Sequence, residues 1–179
     1  MRKIKNDELN RLTPEEFKNS AKLNCVIVLD DVRSAMNVGS TFRTGDSFGI
    51  EKIFLCGITA TPPHREINKT ALGAQDTVNW EHVEEIESLI SNMKNEGFIV
   101  VAVEQADESQ SLLDFTPDQE KKYAFVFGNE VFGVKDEVVL TADAVLEIPQ
   151  YGTKHSLNIS VSMGVVLWDF LAKQKRLPK

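Results

Sequence analysis

The chain has 179 residues, is 42% hydrophobic and 26% charged, and carries a formal net charge of −7 at pH 7. These values fit one globular domain with its own core and exclude disordered and collagen-like chains. The longest nearly uninterrupted apolar stretch, Leu157 to Leu171, contains Asn158 and Asp169 and is shorter than the roughly 20 apolar residues that cross a bilayer. We therefore expect no membrane span. Since no apolar segment follows the basic N-terminus, we also expect no secretory signal and a cytoplasmic location.

The charge is unevenly distributed along the chain. Residues 1–24 hold six basic and four acidic side chains, and residues 169–179 hold four basic and one acidic, so the body between them carries −12. Affinity for nucleic acid comes from Lys and Arg at the phosphates. This balance argues against nonspecific nucleic-acid binding over the whole surface and leaves a local basic patch open.

The sequence predicts no metal site. Cys25 and Cys56 lie at the edges of predicted strands, and His64, His82 and His155 are scattered among loop-like residues. None of them has a partner at the spacing of metal ligands. Buried, reduced thiols are expected.

The predicted elements alternate between helix and strand. Residues 6–22 are typical of two short helices, with Thr13 as an N-cap and Pro14 as the first helical residue. Strands are predicted at 25–30, 52–56, 98–103, 123–127 and 144–148, helices at 37–49, 84–95 and 156–175, and loop-rich connections at 59–80 and 105–122. This alternation predicts an α/β fold with a mostly parallel sheet flanked by helices. We expect an N-terminal helical extension, 1–24, and a single domain, 25–179.

The motifs of several common chemistries are absent from the sequence. There is no G-x-G-x-x-G after the first strand, no G-x-x-x-x-G-K-[ST] and no G-x-S-x-G. Dinucleotide binding, P-loop phosphoryl transfer and acyl transfer therefore lose support.

Two segments place polar residues and glycines at the carboxyl ends of predicted strands. Asn37 opens a helix, and Arg43 follows two turns later. Their amide and cation would point into the crevice at the carboxyl ends of the strands. The alternative is that Asn37 is an N-cap and Arg43 a solvated helix residue. Gly128 and Gly133 bracket Glu130. Glycines there permit close backbone approach to a ligand, whereas the alternative is a tight turn with an exposed carboxylate.

A third segment, 148–160, is a Pro- and Gly-punctuated loop that leads into the last helix. Ser156 alone is explained as an N-cap. Asn158 and Ser160 add polar groups at the start of an apolar helix. Buried polar groups need partners, and a ligand is one candidate.

In this order and spacing, the three segments resemble the three motifs of the SpoU/TrmH-type RNA 2′-O-ribose methyltransferases of the SPOUT superfamily. The matching residues are 31–49, 127–133 and 148–160, which together extend over nearly the whole chain. The resemblance implies an α/β domain with a C-terminal trefoil knot, an exception to unknotted topology. It also implies S-adenosyl-L-methionine as the cofactor and a homodimer.

The resemblance further implies which residues form the site. The cofactor is expected against Val103, Glu104, Gly128, Asn129, Gly133, Ile148, Gln150, Gly152, Ser156 and Leu157. The helix 157–171 is expected at the dimer interface through Val161, Val165, Trp168 and Leu171, the alternative being an internal core helix.

Arg43 is the catalytic residue that the resemblance implies, with Asn37, Glu130, Ser156 and Asn158 positioning it, the RNA and the cofactor. The resemblance implies that Arg43 acts as a base. Because arginine is effectively always protonated, a role in stabilising the developing alkoxide or holding the adjacent phosphate stays open beside it. Both roles predict that Arg43→Lys fails, since an ammonium lacks the planar fork.

The resemblance also implies RNA as the substrate, with tRNA favoured over rRNA. The candidate RNA-binding residues are Arg33, Arg43, Arg65, Lys69, Lys154 and His155. The alternatives are an rRNA 2′-O-methyltransferase, a noncatalytic knotted protein that binds RNA or assists ribosome assembly, and an α/β domain that binds a nucleotide or nucleoside.

Overall fold

A computed structural model describes residues 1–5 and 8–174 of the chain. Its helices are α1 (Pro14–Asn19), α2 (Ala35–Phe48), α3 (Arg65–Ala71), α4 (Ile86–Asn95), α5 (Asp136–Thr141) and α6 (Ile159–Lys173), and its strands are β1 (Cys25–Asp30), β2 (Lys52–Cys56), β3 (Asn79–Val83), β4 (Phe98–Val103), β5 (Gln110–Ser111), β6 (Lys122–Phe127) and β7 (Ala144–Glu147). A short 3-10 turn, Ala74–Asp76, precedes β3.

The strands form one sheet in the order β3-β2-β1-β6-β4-β7-β5. Every neighbouring pair is parallel, and Val28 of β1 lies between Phe54 of β2 and Val126 of β6. The prediction of a mostly parallel α/β sheet is therefore confirmed. The carboxyl ends of β1, β6, β4 and β7 meet at one edge, where ligands bind in open sheets of this type. The trefoil knot stays a prediction.

Helices cover both faces of the sheet. On one face, Ile27 and Leu29 of β1 pack in a core cluster with residues of α2, α3 and α6. On the other face, Val26 and Val28 pack with residues of α4 and α5. Because side chains alternate along a strand, β1 is buried on both faces and has no polar position before its last residue.

The prediction of a loop-rich connection at 59–80 is wrong. This segment contains α3, the 3-10 turn and the first residues of β3. The helix α3 is short and mostly polar, and it packs closely on α2: a Cβ on Gly39 would lie 2.0 Å from Thr70 Oγ1 and 2.4 Å from the carbonyl oxygen of Ile67. The strand β3 is an edge strand with exposed or half-buried side chains, so it lacks the hydrophobic run that marks a strand.

Smaller differences concern the ends of elements. The predictions for β1, β2 and β4 match the structure, and those at 123–127 and 144–148 each differ by one residue. The connection 105–122 contains the two-residue strand β5, and α5 has no counterpart among the predicted helices. Between residues 8 and 22 the structure has one α-helix, α1, and residues 6 and 7 of the predicted helical segment lie outside the described part.

The last helix begins three residues later than predicted, at Ile159, and the predicted end at Lys175 lies outside the described residues. Its inner face is buried against the sheet, whereas Val161, Val165 and Trp168 are exposed. Leu171, predicted to face a partner, is 5% exposed and belongs to the core. No helix among the described residues is long and apolar enough to cross a membrane.

Both cysteines are buried, as predicted. Burial raises the pKa of the Cys56 thiol to about 12, so this side chain is not a thiolate at neutral pH. Within residues 1–5 and 8–174, no group of His, Cys, Asp and Glu side chains is arranged to hold a metal ion.

Candidate active site

A cleft of about 500 Å³ opens at the carboxyl edge of β4, β6 and β7. Its walls come from these strand ends, from the turn at 128–133 and from residues 155–159. Of the residues that the sequence predicted against a cofactor, the following line the cleft: Val103, Glu104, Gly128, Asn129, Gly133, Ile148, Gln150, Ser156 and Leu157. Gly152 is not part of the lining and lies in open space.

The 128–133 turn is held by a dense set of hydrogen bonds. The N–H groups of Asn129 and Gly133 each donate to the other residue's carbonyl oxygen at 2.9 Å. The Asn129 side-chain oxygen accepts from the N–H groups of Val131 and Phe132 at 2.9 and 3.2 Å, and its amide nitrogen donates to the carbonyl of Asp31 at 2.7 Å. The turn is therefore one rigid unit anchored to the end of β1.

Two glycines of this turn are required by the protein's own packing. A Cβ on Gly128 would lie 2.0 Å from the carbonyl carbon of Gly133 and 2.1 Å from the nitrogen of Val134. Gly133 has φ of +73°, and a Cβ there would lie 2.1 Å from the Glu104 carboxylate. The sequence suggested that a ligand explains these glycines, but the fold of the turn already requires them.

We expect Gly128→Ala to destabilise the protein, because the neighbouring atoms are backbone and cannot move aside. Overpacking of this kind costs about 3 kcal/mol, which lowers the melting temperature by about 10 °C in a domain of this size. Thermal unfolding measures the effect, and Gly152→Ala is the matched control because no atom lies within 4 Å of the place that its new Cβ would take. Equal melting temperatures for the two variants would contradict the steric requirement.

Glu130 joins the turn to the segment that begins α2. Its carboxylate accepts from the backbone N–H of Arg33 at 2.9 Å, from that of Ser34 at 3.0 Å and from the Asn37 amide at 2.9 Å. Partial burial by itself would raise the pKa of Glu130, but these hydrogen bonds outweigh it and hold the pKa below its usual value. Glu130 is therefore ionised at neutral pH, and both of its oxygens already accept hydrogen bonds.

Asn158 connects the third segment to the same group. Its amide donates to the side-chain oxygen of Asn37 at 3.1 Å, and its own side-chain oxygen accepts from the N–H and the hydroxyl of Ser160 at 2.9 and 2.7 Å. Asn37, Glu130 and Asn158, here called the polar network, thus link all three predicted segments.

The caps of the two helices differ from those predicted. Ser34 caps α2 by accepting from the N–H of Asn37, so the side chain of Asn37 is left for the polar network. Asn158, and not Ser156, caps α6. Ser156 lines the cleft instead.

The predicted catalytic Arg43 lies in the second half of α2 with an exposed side chain. Its guanidinium makes no hydrogen bond or ion pair with any described residue, the polar network included. It is available to a substrate.

The predicted RNA-binding residues other than Arg43 lie in three places. Arg33 is exposed beside Glu130, whose carboxylate binds its backbone N–H. Lys154 and His155 are in the exposed loop before α6, where the Gln105 amide donates to the carbonyl of His155 at 2.7 Å. The remaining two, Arg65 and Lys69, lie on α3, which packs on α2.

The sequence missed several residues that line the cleft, among them Gln105, Phe132 and Glu147. Each follows or ends a strand, or lies in the turn, so their position at the carboxyl edge is the signal by which the sequence could have identified them. With Glu147, the lining includes three carboxylates, those of Glu104, Glu130 and Glu147, and it includes no Lys or Arg from the described chain.

A buried charge cluster fixes the segment that follows the turn. Asp30, which is 1% exposed, accepts from the backbone N–H of Lys135 at 2.9 Å. The Lys135 ammonium lies 3.3 Å from Asp31 and 3.7 Å from Asp30. Burial raises the pKa of Asp30, although both contacts from Lys135 act in the opposite direction. The cluster ties the end of β1 to the start of α5.

Comparison with known proteins identifies the family. Residues 24–168 match the model of the SpoU rRNA Methylase family. The chain belongs to this family. The match covers all of the polar network and most of α6, so the three segments that the sequence singled out are parts of a SpoU domain.

Named SpoU relatives include enzymes of both tRNA and rRNA. A tRNA (guanosine(18)-2'-O)-methyltransferase from Aquifex aeolicus is 31% identical over 157 residues, which cover 86% of this chain and 72% of that protein. A protein of the same name from Borreliella burgdorferi is 29% identical over 149 residues, which cover 83% of this chain and 66% of that protein. The crystal structure of an AdoMet-bound rRNA methyltransferase from Sinorhizobium meliloti has a TM-score of 0.79 and 26% identity, over 94% of this chain and 62% of that one.

Proposed function

We propose that this protein is an S-adenosyl-L-methionine-dependent methyltransferase that modifies a ribose 2′-hydroxyl of tRNA in the cytoplasm. The observation that carries the proposal is the polar network at the mouth of the cleft, in a chain of the SpoU family. Two similar relatives are named as tRNA 2′-O-methyltransferases. The rRNA enzyme from Sinorhizobium meliloti supports rRNA as the second candidate substrate.

The cleft fits the cofactor in size and in charge. Its volume of about 500 Å³ lies within the range of small-molecule sites. The cofactor carries a sulfonium and an ammonium group, and the carboxylates of Glu104, Glu130 and Glu147 complement positive charge. The same carboxylates, with no Lys or Arg among the described lining residues, disfavour the polyphosphates of ATP or NAD. The generic nucleotide-binding alternative is correspondingly weakened.

The cofactor supplies, when bound, a methyl group made electrophilic by the positively charged sulfur. The apolar side chains of Phe127, Leu146 and Leu157 would hold its uncharged parts, and the polar groups around Gln150 and Ser156 would orient it. The residues of the chain then have to place the ribose in line with this methyl group and assist loss of the hydroxyl proton.

Glu130 does not fit the role of the base. Three N–H donors occupy its carboxylate, and its lowered pKa makes it a weak proton acceptor. Its hydrogen bonds to the residues just before α2 instead make it a positioning residue for that helix. Arg43 belongs to α2, and its planar guanidinium suits a developing alkoxide or the adjacent phosphate.

The intact polar network counts against the noncatalytic alternative. An RNA-binding scaffold needs basic side chains, whereas it has no use for a hydrogen-bonded link between a carboxylate and two amides beside a cofactor-sized cleft. Arg33, Lys154 and His155, near the same edge, are the candidate phosphate contacts of the enzyme.

We also propose that the protein is a homodimer through α6. The exposed side chains of Val161, Val165 and Trp168 lie along an apolar groove that also includes Leu113 and Tyr151. A helix that is apolar on its inner and outer faces needs a covering partner. A second copy of the chain meets this need with the same surface.

Trp168→Glu is expected to convert the dimer to a monomer, because the new carboxylate would be buried without a partner in the interface. Sedimentation velocity measures the change, and Leu140→Glu on α5 is the control, since Leu140 is 82% exposed and lies outside the groove. A dimer that persists in the Trp168 variant would contradict this interface.

Two measurements test the proposed reaction. Calorimetric titration should show binding of S-adenosyl-L-methionine and no comparable binding of ATP or NAD. Labelled methyl transfer to separate tRNA and rRNA pools, taken from cells that lack the protein, should place the label in tRNA. Label in rRNA alone would move the assignment to the second substrate, and cofactor binding without any transfer would contradict the proposed activity.

A further inference from the structure

The strongest feature that the proposed function leaves unexplained is the side chain of Phe132. It is 85% exposed, although it lies at the rim of the cleft and two residues from Glu130. It belongs to neither hydrophobic core cluster of the described structure. The fold therefore does not need an aromatic ring at this position.

The backbone at Phe132 is held in place by hydrogen bonds. Its N–H donates to the side chain of Asn129 at 3.2 Å, inside the turn closed by the paired hydrogen bonds of Asn129 and Gly133. The turn is in addition anchored to Asp31. Because the backbone is held, only the two side-chain torsions of Phe132 would be ordered by contact with a ligand, which keeps the cost in conformational entropy small.

Neither the proposed dimer groove nor the core accounts for this ring. The groove along α6 is lined by residues such as Val165 and Trp168 and does not include Phe132. The ring instead shares the rim of the cleft with Glu130 and Asn158, where the reacting ribose must enter.

The substrate chemistry supplies a matching surface. Proteins that recognise folded RNA mostly take nucleotides of loops and bulges, whose bases can be splayed out of the stack, and such a nucleotide presents a face of its base beside the ribose that enters the cleft. Proteins recover the lost stacking with exposed aromatic side chains, and this contact tolerates any base because every base has such a face.

We propose that Phe132 is the stacking platform for the base of the nucleotide that is methylated. The inference rests on the proposed function, since it takes the substrate to be RNA bound at this cleft. Phe132 then positions the ribose by holding its base, while Arg43, on the helix that the polar network positions, acts at the ribose or the phosphate.

The test compares Phe132→Ala, Phe132→Tyr and Leu140→Ala. The last is the matched control, because Leu140 is 82% exposed on α5 and does not line the cleft. The readouts are the dissociation constant for tRNA by filter binding, KM and kcat for tRNA, the dissociation constant for S-adenosyl-L-methionine by calorimetry, and the sedimentation coefficient.

Loss of one stacking contact should weaken tRNA binding and raise KM by about tenfold or more in Phe132→Ala, with recovery to within about twofold in Phe132→Tyr. Cofactor affinity and the sedimentation coefficient should stay unchanged in both variants and in the control. Unchanged tRNA binding in Phe132→Ala would overturn the inference. Weaker cofactor binding or a smaller particle would also overturn it, since the ring would then cover the cofactor or contact a partner.

These outcomes separate this inference from the proposed function. If the unaltered protein binds tRNA but transfers no methyl group, the proposed function fails, and the tRNA dissociation constants of the variants still decide the stacking role. If the unaltered protein binds no RNA at all, both fail.

Discussion

Arg43→Ala is expected to reduce the kcat of methyl transfer by about 1,000-fold, because removal of one preorganised group that stabilises developing charge costs up to this factor. The side chain is exposed and makes no hydrogen bond or ion pair within the described structure. Alanine is also a good helix former. The melting temperature and the affinity for S-adenosyl-L-methionine should therefore stay close to those of the unaltered protein.

Arg43→Lys is the informative companion variant. It keeps the positive charge and loses the planar fork, so it should recover little of the lost rate. A lysine variant with nearly full activity would show that charge alone suffices, and an alanine variant with nearly full activity would remove Arg43 from the site. Single-turnover assays at saturating RNA measure the chemical step for both.

Glu130→Gln is expected to lower kcat by about 100-fold, since small displacements of catalytic groups have effects of this size. Three N–H donors converge on the carboxylate, and the glutamine amide would present a further donor to one of them. The start of α2 would shift, and Arg43 with it. The matched control is Glu137→Gln, an exposed residue in the first turn of α5 that does not line the cleft.

The pH dependence of stability distinguishes this positioning role from a loss of fold. Because the pKa of Glu130 is lowered in the folded protein, its contribution is present above the usual value of 4.5 and is lost as the pH falls through the folded pKa. The unaltered protein should exceed Glu130→Gln by about 1 kcal/mol in unfolding free energy at pH 7. The difference in unfolding free energy should shrink below pH 4.5, the usual pKa of a glutamate. A difference that does not depend on pH would contradict a stabilising role for the ionised Glu130 carboxylate.

Much of the candidate site could be predicted because its residues are unusual for their positions. Asn37, Glu130 and Asn158 are polar residues at the ends of buried strands or at the start of an apolar helix, and their order matched a known family. Their mutual contacts could not be predicted, since Asn37 lies 93 residues from Glu130 and 121 from Asn158 in the chain. The adjacency of β1 and β6 in the sheet brings Asn37 and Glu130 together, and the contact of α6 with α2 adds Asn158.

The missed elements are those whose signal lies in tertiary packing. The polar helix α3 forms against Gly39 of α2, where the absence of a side chain allows the two backbones to approach. The edge strand β3 pairs with β2 through its backbone and buries little. Likewise, Ser156 and Asn158 are equally good N-caps by residue type. In the structure Asn158 is the cap, and the same side chain also donates a hydrogen bond to Asn37.

The position of the transferred methyl group tests the central claim most directly. RNA labelled by this protein with S-adenosyl-L-methionine is digested with alkali, which cleaves next to a free 2′-hydroxyl and cannot cleave next to a methylated one. We predict label in alkali-resistant dinucleotides from tRNA, and none with Arg43→Ala. Label in alkali-released mononucleotides would mean methylation of a base, and it would contradict a ribose 2′-O-methyltransferase.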